Sequence, residues 1–442
     1  MVNYNFLHPF SMMPKYSSDM DNSLKDSIQK SFIHINRGKD SWVYDDQEKP
    51  YLYLTTAVPT VGISNDEIVN KVSEQLKTLS FFSTCEQSHH LVQPLAERLC
   101  EKAGDNFNLV SFSNDGSGAV ETAMRLTRQF FKQQGLKKWK FISFEGSYHG
   151  TTFGSGSVTN LGIKEQFGNA LEGCITSPSP NLYRPKLNDT AEQNINYCLE
   201  ALEIRILDND PDEVAAVLLE PVQGVNGIIP FTREFIQGVR RITQKYNILL
   251  IMDEVTTGVG RVGTFTASQY YNVAPDLLAL SKGLTGGYFP MGATLISKEI
   301  SQVLFGSGGI FLHGSTQSGH PVGCAAALAV LDYMEKNNLV ENARKKGTLL
   351  LESLKRDITD HPNVGDVRGK GLMIAIEFTD NKALKTPVSY EWGHQFNKQL
   401  QQQGILGNFF NSTLLMYPPL IINDEECQFI LKGVQAALEN ME

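Results

Sequence analysis

The stretch I-L-L-I-M-D-E-V at 248–255 decides the fold. Five apolar residues, Ile248–Met252, run without alternation into Asp253 and Glu254. A strand apolar on both faces belongs inside a parallel sheet covered on both sides, and its acids then fall at the carboxyl edge. Working outward, the same texture recurs. Leu109–Phe112, Lys140–Phe144, Val214–Leu219, Leu277–Leu280 and Ala293–Ile296 are short β-branched or apolar runs. Helical patterns at Gly118–Phe131, Ala191–Leu207 and Thr232–Tyr246 separate several of them. Strands alternating with helices predict an α/β fold with a mostly parallel, doubly wound sheet. Ligands of such sheets bind outside the carboxyl ends of the strands.

Residues that carry chemistry fall at those ends. In L-L-A-L-S-K-G-L-T-G-G-Y-F-P-M-G-A at 277–293, Lys282 closes an apolar strand ahead of a glycine-rich loop. An amine in apolar surroundings is costly to keep charged, so it is readily neutral and nucleophilic, as Schiff-base chemistry requires. A snorkelling surface lysine is the plainer alternative, and the flanking Leu280 and Gly283–Gly287 stand against it. Asp253, once buried, needs a cationic or hydrogen-bonding partner, and a protonated pyridine nitrogen is one. Capping the next turn, or sharing a metal with Glu254, is the alternative. No His or third acid stands at ligand spacing, so metal is disfavoured.

Two further sites are more open. In S-N-D-G-S-G-A-V-E-T-A-M at 113–124 a strand ends, turns and enters a helix. The backbone N–H groups of Gly116, Ser117 and Gly118 there can receive a phosphate, but a plain turn with Ser117 as a cap fits equally well. Y-H-G at 148–150 follows another strand end. Tyr148 there either lies flat on a planar ring or simply packs, and Gly150 admits a close backbone approach. G-V-G-R-V-G at 258–263 matches the dinucleotide pattern but does not directly join a strand to a long helix, so it is set aside.

With 442 residues, 41% hydrophobic and 20% charged, the chain can bury a sizeable core. The balance of 39 basic and 48 acidic residues, net −9, argues against nucleic acid and anionic membranes as partners. No apolar stretch approaches the roughly 20 residues of a spanning helix, and M-V-N-Y-N-F-L-H-P-F lacks a secretory pattern, so a cytoplasmic protein is expected. Six scattered cysteines without a CxxC pair read as small buried hydrophobes.

The texture changes after about residue 330. Helices at Ala325–Glu335, Val340–Arg356, Glu391–Gln403 and Glu425–Glu439 flank strands at Gly371–Phe378 and Leu414–Met416. This predicts a large domain over 61–325 and a smaller α+β domain over 326–442, with segment 1–60 packing against the latter. His89–His90 reads as helix surface, Lys137–Lys138 and Lys345–Lys346 as solvated charge, and Trp42, Trp139 and Trp392 as packing anchors.

A phosphate turn, a stacking aromatic, a strand-end Asp and a strand-end Lys, in that order on one sheet, make a pyridoxal 5'-phosphate site. The chain carries H-P-F at 8–10, D-G-S-G-A-V-E-T-A at 115–123, G-S-Y-H-G-T-T at 146–152 and L-L-E-P-V-Q-G-V-N-G-I-I-P at 218–230. It continues with M-D-E-V-T-T-G-V-G-R-V-G-T-F at 252–265, the 275–293 segment around Lys282, H-G-S-T-Q-S-G-H-P at 313–321, V-R-G-K-G-L-M-I-A-I-E-F at 367–378 and Y-P-P-L-I-I at 417–422. In these motifs it resembles class III aminotransferases of the ω-aminotransferase and diaminopelargonate type, a subgroup of fold-type I pyridoxal enzymes, over nearly its whole length.

The resemblance implies that Lys282 holds the internal aldimine and shuttles the proton, and that Asp253 pairs with the pyridine nitrogen. It puts Tyr148 on one ring face, Val255 on the other, Gly116 and Ser117 on the phosphate, and Glu220 beside cofactor and substrate. Thr316 would reach the phosphate of a neighbouring subunit, which makes a homodimer the minimum active unit. The implied reaction moves an amino group between a primary amine or amino acid and a keto or aldehyde compound.

Departures from the family pattern concern the substrate. Thr256 stands where the ornithine and 4-aminobutyrate groups have glutamine. Thr151, Asn408 and Leu415 occupy three positions that carry a carboxylate-binding arginine in one subgroup or another. Ala57 lies near the place of a tryptophan that narrows the pocket in amine:pyruvate enzymes. Arg368, in a V-R-G-K-G-L stretch that reads as a structural turn, is the remaining candidate cation. The rival on the same fold is an amino-acid racemase or epimerase, which G-S-Y-H-G-T-T-F-G-S at 146–155 also resembles. A dinucleotide oxidoreductase or a non-catalytic binding module is disfavoured by the setting of Lys282.

Overall fold

The computed structural model describes residues 33–187, 190–306 and 308–441. The H-P-F motif at 8–10 and the first half of the N-terminal segment lie outside the described residues. A seven-stranded sheet organises the chain, in the order Phe107–Ser113, Gly292–Ser297, Leu277–Leu280, Leu249–Asp253, Val214–Leu219, Lys140–Phe144 and Cys174–Ser177. Leu249–Asp253 lies near its middle, parallel to both neighbours. All six residues of Val214–Leu219 and all five of Leu249–Asp253 are buried. Each large apolar side chain so enclosed contributes roughly 1.5–3 kcal/mol.

One strand departs from the parallel expectation. Gly292–Ser297 runs antiparallel to both Leu277–Leu280 and Phe107–Ser113. Only a single 3₁₀ turn, Lys282–Leu284, lies between Leu280 and Gly292. A parallel return needs a crossover of a dozen residues or more, usually a helix, and this connection is too short to make one.

Helices cover the sheet through one-sided apolar stripes. Gly116–Gln133 buries Ala119, Val120, Ala123, Met124, Leu126, Thr127, Phe130 and Phe131, the helical spacing of an inward face. Its entry is fixed by Asp115, whose side chain accepts from Gly118 N at 2.7 Å.

Elsewhere, Val364–Lys370, Met373–Asn381, Thr413–Met416 and Asn408–Phe410 form an antiparallel path, with Thr386–Pro387 at its side. Arg368 is therefore on a strand, not in a turn as its glycine-flanked sequence suggested; the hairpin bends at Gly371, φ +55°. Residues 35–53 contribute three short strands to a separate sheet, whose fourth member is Ile405–Leu406.

Two polar readings are corrected. Lys138 is buried, and its Nζ donates to the carbonyls of Pro211, Val214 and Tyr246, which replace the water a solvated lysine would have. His89 is likewise buried rather than on a helix surface, with Nε2 2.6 Å from the Gly319 carbonyl oxygen.

Candidate active site

Four strands deliver the site from one edge of the sheet. Phe107–Ser113 runs into Asp115–Ser117, Lys140–Phe144 leads to Tyr148–Gly150, Leu249–Asp253 ends on its acid, and Leu277–Leu280 leads to Lys282. The residues meet around a cavity of about 230 Å³ lined by Asp115, Gly116, Ser117, Tyr148, His149, Gly150, Asp253, Val255, Thr256, Ser281 and Lys282. Six sequence-predicted residues are thus together: Gly116, Ser117, Tyr148, Asp253, Val255 and Lys282. Glu220, at the end of Val214–Leu219, joins from behind. Its Oε1 accepts from Tyr148 N at 2.8 Å and its Oε2 from Gly224 N at 3.0 Å. Thr316 does not line this cavity. It is exposed in the 311–319 segment and lines a second cavity with Phe112, Phe311 and His313.

Glycines make room at the phosphate end. A Cβ on Gly116 would come within 2.8 Å of Val255 Cγ1, and one on Gly150 (φ +122°) within 2.4 Å of Ser117 Oγ. Gly116 and Ser117 open an 18-residue helix whose first amides point out of it, a setting made for an anion.

Two participants carry no assigned role in the sequence reading. His149 has no exposed side-chain surface, and its Nδ1 lies 2.8 Å from Asp253 Oδ2. Burial works against a charged imidazole, but the bond to Asp253 outweighs it and raises the His149 pKa. The other Asp253 oxygen accepts from Val255 N at 3.1 Å, so the carboxylate is held from two sides. Thr256 is the second. Its Oγ1 accepts from Lys282 Nζ at 2.6 Å.

Burial lowers the Lys282 pKa, with Asp253 and Glu220 opposing and Arg261 assisting. The amine is thereby brought toward the neutral form that attacks a carbonyl. Glu220 is pushed up to about 7, chiefly by burial. Glu254, beside Asp253 in sequence, points elsewhere. It accepts from Ala267 N, Ser268 N and Ser268 Oγ, which fixes the short Ala267–Tyr271 helix. Only five residues long, that helix leaves the G-V-G-R-V-G loop without a long helix to receive a dinucleotide.

An amine at one strand end, a buried acid at the next, an aromatic beside them and a glycine-lined helix start fit pyridoxal phosphate at its aldehyde, ring nitrogen, ring face and phosphate. The fold and cavity define a fold-type I pyridoxal phosphate enzyme. The class III aminotransferase family profile matches residues 24–438, and the chain belongs to that family. It is 33% identical to the adenosylmethionine-8-amino-7-oxononanoate aminotransferase of Geobacter sulfurreducens, over 98% of this chain and 95% of the relative. It is also 33% identical to gamma aminobutyrate transaminase 3, chloroplastic, of Solanum lycopersicum, over 92% of this chain and 81% of that one. Among solved structures, an amine transaminase from an uncultivated Pseudomonas species, with PLP bound, superposes with a TM-score of 0.90 at 32% identity. That match covers 99% of this chain and 100% of the other. The protein is a pyridoxal-phosphate-dependent aminotransferase, and the racemase alternative is not favoured. Among the described residues, no helix is long and apolar enough to cross a membrane.

Proposed function

We propose that this aminotransferase takes its amino group from a primary amine with an uncharged tail and gives it to a keto or aldehyde acceptor. The reading rests on the meeting of Lys282, Asp253 and Tyr148 in one cavity. Pyridoxal phosphate, when bound, supplies an aldehyde to receive an amine and a ring that draws electrons from the adjoining carbon. Lys282 would attach the cofactor through Nζ and, once released by the incoming amine, would take the proton from the carbon bearing the amine on Nζ and deliver it to the cofactor carbon that had held the aldehyde. Asp253 keeps a proton on the ring nitrogen, while His149 keeps the Asp253 carboxylate aimed. Tyr148 and Val255 enclose the ring, Gly116 and Ser117 take the phosphate, and Glu220 fixes the backbone at Tyr148 and Gly224.

The relatives' names point to different substrates, so the pocket must decide. Among the described residues, no arginine lines the cavity. Asn408 and Leu415 stand opposite each other on paired strands, and neither is cationic. Arg368 is committed to Gly227 O at 2.9 Å, Asp366 at 3.0 Å and Glu377 at 2.6 Å. Burying a carboxylate without a cation costs several kcal/mol. A simple amine should therefore match or exceed the corresponding ω-amino acid in kcat/KM, measured with one common keto acceptor. A tenfold or greater preference for the acid would sink this reading. It would point to Arg261, which is buried and has an unpaired Nη2.

The cavity is completed in a homodimer, where Thr316 reaches the phosphate of the neighbouring subunit. Exposed Ile310 and Leu312, at 68% and 75%, flank the Thr316 segment and suit a covered face. Cofactor affinity should then fall as the enzyme is diluted through its dissociation range. A monomer that binds the cofactor as tightly as the dimer contradicts this. The N-terminal segment, large domain and small domain of the sequence reading remain our division of the chain, and the cytoplasm our assignment of its place.

A further inference from the structure

The base of the Lys282 side chain is clamped. Its backbone lies at φ +39°, a region that non-glycine residues occupy only when the surroundings hold them there. Ser281 Oγ donates to the Met291 carbonyl at 2.8 Å, and Thr60 Oγ1 donates to the Gly283 carbonyl at 3.1 Å, fixing the residues on either side. Beyond this base, four carbons separate the backbone from the reacting nitrogen. That nitrogen is anchored on Thr256 Oγ1, at 2.6 Å. Both branches of Thr256 face Gly224, where an added Cβ would meet Cγ2 at 3.4 Å and Oγ1 at 3.6 Å.

We propose that Thr256 is a positioning residue, the docking point that holds the free amine of Lys282 in place between its covalent engagements. The proposal rests on the reading of Lys282 as the proton-moving base, and it explains how a flexible side chain returns to one position. A hydroxyl suits both states of the amine. It accepts from the ammonium that has just received a proton, and it can donate to the lone pair once that proton is delivered. The bond to the ammonium is charge-assisted and the stronger of the two, so Thr256 adds to the pull of Asp253 and Glu220 toward the ammonium, which Arg261 opposes. His149 lines the same cavity, but its Nδ1 is turned to Asp253. Holding the amine reduces the search for the reactive geometry, so Thr256 acts on the turnover step more than on substrate binding.

The test compares Thr256→Val, which keeps the branched shape and loses the hydroxyl, with Thr256→Ser, which keeps the hydroxyl. In the holoenzyme, Thr256→Val should lower kcat by roughly tenfold with KM within about twofold of wild type, and Thr256→Ser should restore kcat to within about threefold. In the enzyme freed of cofactor, acetylation of Lys282 by acetic anhydride across pH, followed by mass spectrometry, reports the titration of the amine. Removing an acceptor from the ammonium should move the Thr256→Val midpoint down by at least about half a pH unit, with Thr256→Ser at the wild-type value. A Thr256→Val variant with wild-type kcat, or with a wild-type midpoint, overturns the proposal. So does a Thr256→Ser variant as impaired as Thr256→Val. The acetylation readout needs no turnover, so a failure of Lys282 as base would leave the midpoint shift intact and be recognised separately.

Discussion

Lys282→Ala is expected to yield a folded protein that still binds pyridoxal phosphate without a covalent bond, lacks the visible absorption of lysine-bound cofactor, and turns over at least about a thousandfold more slowly. Two functions are lost together: the attachment of the cofactor and the transfer of the proton. Folding should survive, because alanine keeps the Cβ at the φ of +39° and removes only the part of the side chain that lines the cavity. Cofactor should still bind, because the helix start at Gly116–Ser117 and the acid at Asp253 are independent of the lysine. Absorption spectra and single-turnover rates check both halves. A variant that keeps the band and turns over normally would mean that another amine carries the chemistry.

Asp253→Asn should cost at least about a hundredfold in single-turnover rate. The asparagine fits the same space, but it brings no negative charge to hold a proton on the ring nitrogen. It also disturbs His149, whose raised pKa depends on the Asp253 carboxylate. With that partner neutral, burial alone governs the imidazole and favours its uncharged form. The damage should therefore appear in the chemical step and not only in cofactor affinity. An unchanged single-turnover rate would remove Asp253 from the role proposed for it.

What was legible in the sequence follows from how local each signal is. The strand through Asp253 declared itself because an unbroken apolar run ending in acids suits a buried strand and little else. Val214–Leu219 and Leu277–Leu280 were readable for the same reason. Pairings across long separations were not readable. His149 meets Asp253 across 104 positions, and a histidine beside a tyrosine gives no local sign of a distant acid. Thr256 meets Lys282 across 26 positions, and its sequence showed only a departure from glutamine, not the bond that replaces it. Lys138 looked solvated because its three carbonyl partners, on Pro211, Val214 and Tyr246, lie 73 or more positions away in the chain. The sheet formed by residues 35–53 is extended at one edge by a two-residue strand, Ile405–Leu406, too short to register as a pattern.

The central claim is that Lys282 carries the cofactor. Reducing the resting holoenzyme with borohydride and mapping its peptides by mass spectrometry tests this most directly. The account predicts one stable adduct with the mass of the reduced cofactor, on the peptide containing Lys282 and at that residue. An adduct on any other lysine, or a holoenzyme with no adduct after reduction, would contradict it.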